Sequence, residues 1–449
     1  MIKEYLLKLE AGILKIKKLI PRFLIGTTSL LLFIFIVAIS PYLWKNWVTY
    51  PRLEKERAEL WTKYKKPQKF IKQNEYKGVF HMHSYWSHDC RGTLDEILPT
   101  AKKAGYNFLF FSDHPHGDQD TFPRSYQGVY DNIVFEAGTE GGKGLMVTPM
   151  DSTVIDWSKP QSDVIHRLVS NGGLVIYVHT EKKHDWDNPD YQAMEIYNIH
   201  TDYLDGNDGL LSIVMNLFIN NEEYHHWVFR DIYDEQIEIL ANWDSLNKNR
   251  RIVGMAAVDA HNNQSFRARY LDDGKVEWVG PNAKTLDITE PGLKESLLLG
   301  DSNVDGWAFK WEIDPYFISF NHVVNHVFSD TLTNYGIKNN LVAGHAFISF
   351  QSLAKADGFQ YFTLDNENNL NAVMGDSVSI KSVSKLGAVS PFPVQFQLVK
   401  DGIIIDMVDD VYNYEFEPNN QTGNYRIVAK LFLDDAWVSW VFTNPIYIH

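Results

Sequence analysis

The sequence predicts an α/β fold: a barrel of strand–helix units, preceded by one transmembrane helix and followed by a small all-β sandwich. Three observations predict it. Residues 23–44 carry no charge. Downstream, the apolar runs at residues 78–83, 108–114, 174–179 and 252–261 end in His83, His114, His179 and His261. From about Val342 the pattern changes to alternating strands punctuated by turn residues. Buried parallel strands read as continuous apolar runs, and a β/α barrel gathers its chemistry at their carboxyl ends. Histidines and carboxylates from distant parts of the chain would therefore converge on one mouth.

The 449 residues leave room for one large domain and a smaller one. The net charge of −15 hides a split. Through Lys77 there are 16 Lys+Arg against 6 Asp+Glu, and the rest of the chain holds 26 against 51, a net −25. A surface this acidic repels nucleic acid and anionic membrane over most of its area, which argues against DNA or RNA as a partner. The single cysteine, Cys90, excludes an intrachain disulfide and reads as a packing residue beside the first metal motif.

Residues 1–22 form a basic amphipathic segment. Ile2, Tyr5, Leu6, Leu9, Ile13, Ile16 and Ile20 fall at helical spacing with lysines elsewhere, which suits a helix lying on an anionic leaflet or the start of the membrane helix. Residues 23–44 are long enough, at about 1.5 Å per residue, to span a bilayer. Pro41 just after Ala38-Ile39-Ser40 and the long basic lead argue against a cleaved signal peptide. Tyr42, Trp44 and Trp47 supply an aromatic belt. Six basic residues precede the span (Lys3, Lys8, Lys15, Lys17, Lys18 and Arg22), whereas Lys45, Arg52, Lys55 and Arg57 follow it. That imbalance predicts a cytoplasmic N-terminus and a catalytic domain on the outer, periplasmic or extracellular, side of the cytoplasmic membrane. Residues 45–76 read as a juxtamembrane linker.

His81 and His83 are two apart on a predicted strand, so their side chains should leave one face and bind one ion or two neighbouring ones. Around them, residues 81–88 match an H-x-H-[ST]-x-x-S motif followed by a ligand position. Ala101 through Gly105 and then Ser112-Asp113-His114 match a strand ending in T-D-H after A-x-x-x-G, and Gly138-Thr139-Glu140 matches G-x-E. His179 ends another strand, and Val258-Asp259-Ala260-His261 matches a closing S-D-A-H. In these five motifs, in this order over about 180 residues, the chain resembles the polymerase and histidinol phosphatase (PHP) superfamily of metal-dependent phosphoesterases.

The resemblance implies a distorted PHP-type barrel over residues 77–341, the sandwich-like region then covering 342–449. It implies one metal on His81, His83, Glu140 and Asp259 and a second on residue 88, His114 and His261. Glu140 would bridge the two, and His179 would serve a third site. Asp is usual after the motif's Ser; here His88 stands there and Asp89 follows, and His88 is the expected ligand. No further histidine follows Glu140 closely, which leaves the third site weak or absent. Two or three divalent ions (Zn, Mn or Fe) suit these donors, with Asp259, His261 and Glu140 central to catalysis.

Arg91, Lys143 and Lys182 lie beside motif residues and are candidates to contact a substrate anion. Asp113 is expected to orient a neighbouring histidine, and Glu195 and His200 either line the site or pack below it. Residues 317–322 read as a strand. The whole predicts a membrane-anchored metal-dependent hydrolase of a small phosphoester, in which paired ions activate water and stabilise attacking and leaving oxygens. Two rivals remain open at this point: a carboxylic or carbamic ester hydrolase on the same centre, and a non-catalytic binding or scaffold protein, whose mark would be missing ligands.

Overall fold

The computed structural model describes residues 26–115, 122–142, 144–149, 154–205 and 209–449. The amphipathic segment expected over 1–22 and the candidate Lys143 lie outside them. The described residues begin with a continuous helix α1, Gly26–Thr62, of 37 residues, long and apolar enough to cross a membrane. Its side chains from Leu30 to Val37 are more than half exposed. The helix passes through a π-helical stretch at Lys45–Thr49 and continues beyond the apolar span as a polar helix whose buried residues are Tyr50, Leu53 and Leu60.

The motif strands form one sheet. Its members in chain order are β1 (Asn74–Met82), β2 (Phe108–Phe110), β3 (Ile133–Glu136), β4 (Thr139–Gly141), β5 (Leu145–Thr148), β6 (Leu174–Tyr177), β7 (Ala193–Asn198) and β8 (Val253–Ala260). Their spatial order is β3-β2-β1-β8-β7-β6-β5-β4. The first six of that order are parallel; β5 runs antiparallel to its neighbours β6 and β4. A parallel bridge between Asp113 and Thr139 ties the end of β2 to the start of β4. Parallel strands need crossovers; helix α2 (Leu94–Ala104) supplies the one from β1 to β2, whereas α3 (Gln161–Ser170) joins the antiparallel β5 and β6. The first is delimited by sequence signals: Glu96 accepts from the Thr93 backbone N–H (3.3 Å), and Gly105 ends the helix at φ 77°. Gly138 fits because a Cβ there would lie 2.5 Å from the Phe111 carbonyl and 2.7 Å from that of Val147. That close approach places Glu140.

Between β7 and β8 run α4 (Gly209–Ile232) and α5 (Ile237–Asn247). After β8 comes a separate four-stranded sheet of β9 (Ser265–Tyr270), β10 (Val276–Val279), β11 (Thr285–Thr289) and β12 (Phe309–Glu312). The strand expected over 317–322 is instead a short helix, Tyr316–Phe320, capped by Pro315. Pro315 fixes φ near helical values, and the Tyr316 hydroxyl then donates to the His83 carbonyl (2.7 Å).

The C-terminal region is hydrogen-bonded to the motif sheet. The first half of β1 pairs with β13 (Val324–Ser329), β13 with β14 (Ala346–Ser349), and β14 with β19 (Ala436–Thr443), counting β15 (Gln360–Leu364), β16 (Lys385–Lys400), β17 (Ile403–Phe416) and β18 (Gly423–Leu433) between them. The expected boundary at 341/342 falls inside the helix Asn334–Ala343, between two paired strands. Strands expected to be short include two long ones: β16 has 16 residues and β17 has 14. Pro391 and Pro393 lie in β16 where its register against β17 slips between Val389 and Val394; proline is tolerated at such an irregularity.

Candidate metal centre

Two groups of four side chains could each hold a metal ion, with ligand atoms within 4.8 Å of one another. The first is His81, Glu140, His179 and Asp259; the second is His83, Asp89, His114 and His261. They come from the carboxyl ends of β1, β2, β6 and β8 and from the start of β4. In the first, His81 Nε2 lies 3.0 Å from Glu140 Oε2 and 3.1 Å from Asp259 Oδ1, and His179 Nε2 lies 3.3 Å from Glu140 Oε1. In the second, Asp89 Oδ2 is 3.2 Å from His261 Nε2 and 3.7 Å from His114 Nε2, and the rings of His83 and His261 stack at 3.8 Å. The groups adjoin. Glu140 Oε2 and Asp259 Oδ1 each lie 3.5 Å from His83 Nε2, so both carboxylates face both groups.

This arrangement corrects three expectations. Asp89 joins the second group, while His88 is exposed with its ring 5.3 Å from that of His114. The turn after β1 is the reason. The Ser87 hydroxyl donates to Asp89 Oδ1 (2.8 Å) and accepts from the His114 backbone (3.1 Å), turning residue 89 inward and residue 88 out. His83 belongs with the second group because β1 does not keep strict alternation to its end. His81 has φ 59°, and the register against β8 slips between Phe80 and Met82. His179 belongs to the first group, and the described residues hold no separate third one.

Three of the four residues in the first group have left-handed backbones: His81 (φ 59°), His179 (φ 51°) and Asp259 (φ 44°). Such conformations cost about 1–3 kcal/mol each for side-chain-bearing residues and persist where the surroundings over-determine them. The surroundings here are hydrogen bonds that also set the imidazole tautomers. His114 Nδ1 donates to the Glu140 carbonyl (3.2 Å) and His261 Nδ1 to the Asp259 carbonyl (2.9 Å), which turns both Nε2 atoms toward the centre. Glu195 Oε1 holds His81 Nδ1 (2.5 Å), while its other oxygen accepts from the His179 backbone (2.7 Å) and from Asn198 (2.9 Å). One carboxylate thus orients residues from two strands. Glu195→Gln should weaken metal affinity or turnover about 10- to 100-fold, as read by chelator competition and kcat. An unchanged affinity would show that His81 needs no such partner.

The remaining candidates divide. Lys182 and His200 line the cavity at the centre, and His200 Nδ1 lies 3.9 Å from Asp259 Oδ2. Arg91 is half-buried and off the cavity wall, acting on Glu277 instead. Asp113 accepts from the Ser84 backbone (2.6 Å) and hydroxyl, pinning the turn after β1. Cys90 is buried against the His261 carbonyl, and burial pushes its thiol up to about 12. It packs, as expected. Asn263, Gln264 and Asp314 also reach the cavity and were missed. The first two directly follow the closing motif, which was an available signal; Asp314 was not foreseeable, being brought there by bonds from the Asn263 and Gln264 backbones (3.0 and 2.9 Å).

The donor set suits divalent ions. Asp259 Oδ1 and His179 Nδ1 are buried without a well-directed hydrogen bond, and imidazole with carboxylate matches zinc, manganese or iron. Burial alone would lower His81, but Asp259, Glu195 and Glu140 hold it well above its ordinary range. Burial likewise opposes the charge on Glu140 and Asp259, yet the His81 charge holds both carboxyls well below theirs. His261 is raised to about 9 despite burial, by Asp89 and Asp259.

Binding an ion must displace the protons on His81 and His261. Apparent affinity should therefore rise about tenfold per pH unit for each proton displaced, up to about pH 9. In metal-free protein the sign reverses. The folded value of His261 exceeds the ordinary 6.5, so its stabilisation is complete below 6.5 and is lost as pH rises through about 9. Chelator competition at pH 6, 7 and 8, with metal-free melts at pH 6 and 9.5, measures both trends. Affinity independent of pH would contradict the protonation described.

No protein-family model and no curated protein matches the sequence. Among solved structures, a two-domain protein from Bacteroides vulgatus containing a predicted PHP-like metal-dependent phosphoesterase is similar over 85% of this chain and 98% of that one, at 11% identity and a TM-score of 0.36. A likeness that distant assigns neither residues nor reaction.

Proposed function

We propose that this chain is a membrane-anchored, metal-dependent phosphoesterase. The observation that carries the reading is the adjoining pair of four-residue groups with Glu140 and Asp259 facing both. His81, Glu140, His179 and Asp259 would hold one ion, and His83, Asp89, His114 and His261 the other. When bound, such ions supply Lewis acidity toward phosphoryl oxygens and lower the pKa of water. The chain's own part is positioning. Glu195 fixes the His81 ring, the Glu140 and Asp259 carbonyls fix His114 and His261, and Lys182 at the cavity wall offsets phosphate charge. The five sequence motifs support the same reaction class.

The test is a panel of phosphomonoesters, phosphodiesters and carboxylic and carbamic esters offered to the full-length protein. Phosphoester turnover should vanish with chelator and return with Mn²⁺ or Zn²⁺. Turnover confined to carboxylic or carbamic esters, or turnover that resists chelation, would contradict the proposal. The proposed topology puts the large domain outside the cytoplasmic membrane. Protease added to intact spheroplasts should digest that domain, and its protection would reverse the orientation.

A further inference from the structure

The cavity at the metal centre is lined by two unlike sets of residues. It encloses about 710 Å³, a size typical of pockets that bury a whole organic ligand. Asp89, His114, Glu140, His179, Asp259 and His261 line it. Ile213, Val214 and Leu217 of α4 line it as well, and the two metal groups need none of these three.

The same helix is clasped to α1. Tyr42 donates to Ser212 (3.0 Å), Asn46 to Asn220 (2.7 Å) and Asn216 to Tyr50 (2.9 Å). Tyr50 and Lys45 both reach Asp231 (2.6 and 2.9 Å). On a helix, residues four apart share a stripe. Ser212, Asn216 and Asn220 form the stripe against α1, Ile213 and Leu217 the next one toward the cavity, and Val214 and Phe218 the one beyond.

Tyr42, Trp44 and Trp47 stand where the apolar span of α1 ends, and Trp44 and Trp47 are exposed, the usual place of aromatic residues at a membrane interface. The α4 segment bonded to Tyr42 and Asn46 therefore sits at that level. Phe218 is 63% exposed there, and its ring continues into Trp311 (6.1 Å) and then Phe266 (5.8 Å). This exposed aromatic shelf adjoins the helix that walls the cavity.

We infer that the substrate is an amphiphile: a lipid phosphoester whose phosphate lies against the two metal-binding groups while its apolar chain runs along Ile213, Val214 and Leu217 from the bilayer. The inference rests on the phosphoesterase reading for the headgroup and on the α1–α4 contact for the chain. Lys182 meets the phosphate, and the aromatic shelf rests in the interface.

The test uses the full-length, metal-loaded protein held in amphipol, with non-hydrolysable n-alkylphosphonates of two to eight carbons as probes and titration calorimetry as the readout. Kd should fall about fourfold for each added methylene. That slope should flatten by at least half in Val214→Asp, and in Val214→Ser should the aspartate variant fail to fold. Equal Kd at all chain lengths would overturn the inference, as would identical slopes in the wild type and a folded variant, since the gain would then come from the amphipol. Hydrolysis is read separately. Chain-dependent binding without turnover would defeat the phosphoesterase reading and leave the amphiphile site standing.

Discussion

Replacing Asp259 by alanine is expected to lower kcat by at least about 10³-fold and to strip metal from the protein. Asp259 Oδ1 lies within 3.5 Å of His81, His83 and His261, and Oδ2 faces His179 at 3.8 Å. Glu140 is the other carboxylate whose oxygens face His81, His83 and His179, so Asp259→Ala removes a donor that faces both groups. Asp259→Asn, which removes the charge yet keeps a side chain that tolerates the left-handed backbone, is the second variant should the alanine protein fail to fold. His166→Ala makes the control: that ring is 72% exposed and pairs with Asp190, and its loss should leave turnover unchanged. Retained activity and metal in Asp259→Ala would remove the residue from the centre.

The second large effect is on stability. Asp244 of α5 and Arg426 of β18 form a bidentate pair, 2.7 Å on each arm, with side-chain exposures of 10% and 6%. Asp244→Ala would strand a buried guanidinium and should destabilise the fold by about 3–5 kcal/mol. The double replacement Asp244→Leu with Arg426→Leu should recover most of that loss, since two charges need no longer be desolvated. Because β1, β13, β14 and β19 form one hydrogen-bonded sheet, the single variant should shift one unfolding transition as a whole. Two transitions, only one of them shifted, would show that the C-terminal strands unfold independently.

What the sequence made legible follows from which interactions are local. Apolar runs ending in His or Asp pointed to His81, His83, His114, His179, Asp259 and His261, because a strand's end is encoded in its own residues, and Glu140 was reached through the G-x-E motif of the resemblance. Their division into two groups was hidden. It depends on a positive φ at His81 and on the Ser87 hydroxyl bonding both Asp89 and the His114 backbone, and neither follows from spacing. Glu195 bonds a histidine 114 positions away, so its role as the clamp on His81 needed the β7–β8–β1 pairing. The apolar cavity wall needed the α1–α4 contact, which no spacing within residues 209–232 encodes. The C-terminal strands were foreseeable from alternation, but their pairing into the motif sheet was not, because β14 meets β19 across almost a hundred residues.

The central claim, two adjoining metal ions held by eight named side chains, is tested most directly by anomalous diffraction from metal-loaded crystals of the full-length protein. Two anomalous peaks should appear, one about 2.0–2.2 Å from donors of His81, Glu140, His179 and Asp259 and the other at that distance from donors of His83, Asp89, His114 and His261. A fully active protein with no peak at these residues, or with its metal bound elsewhere, would contradict it.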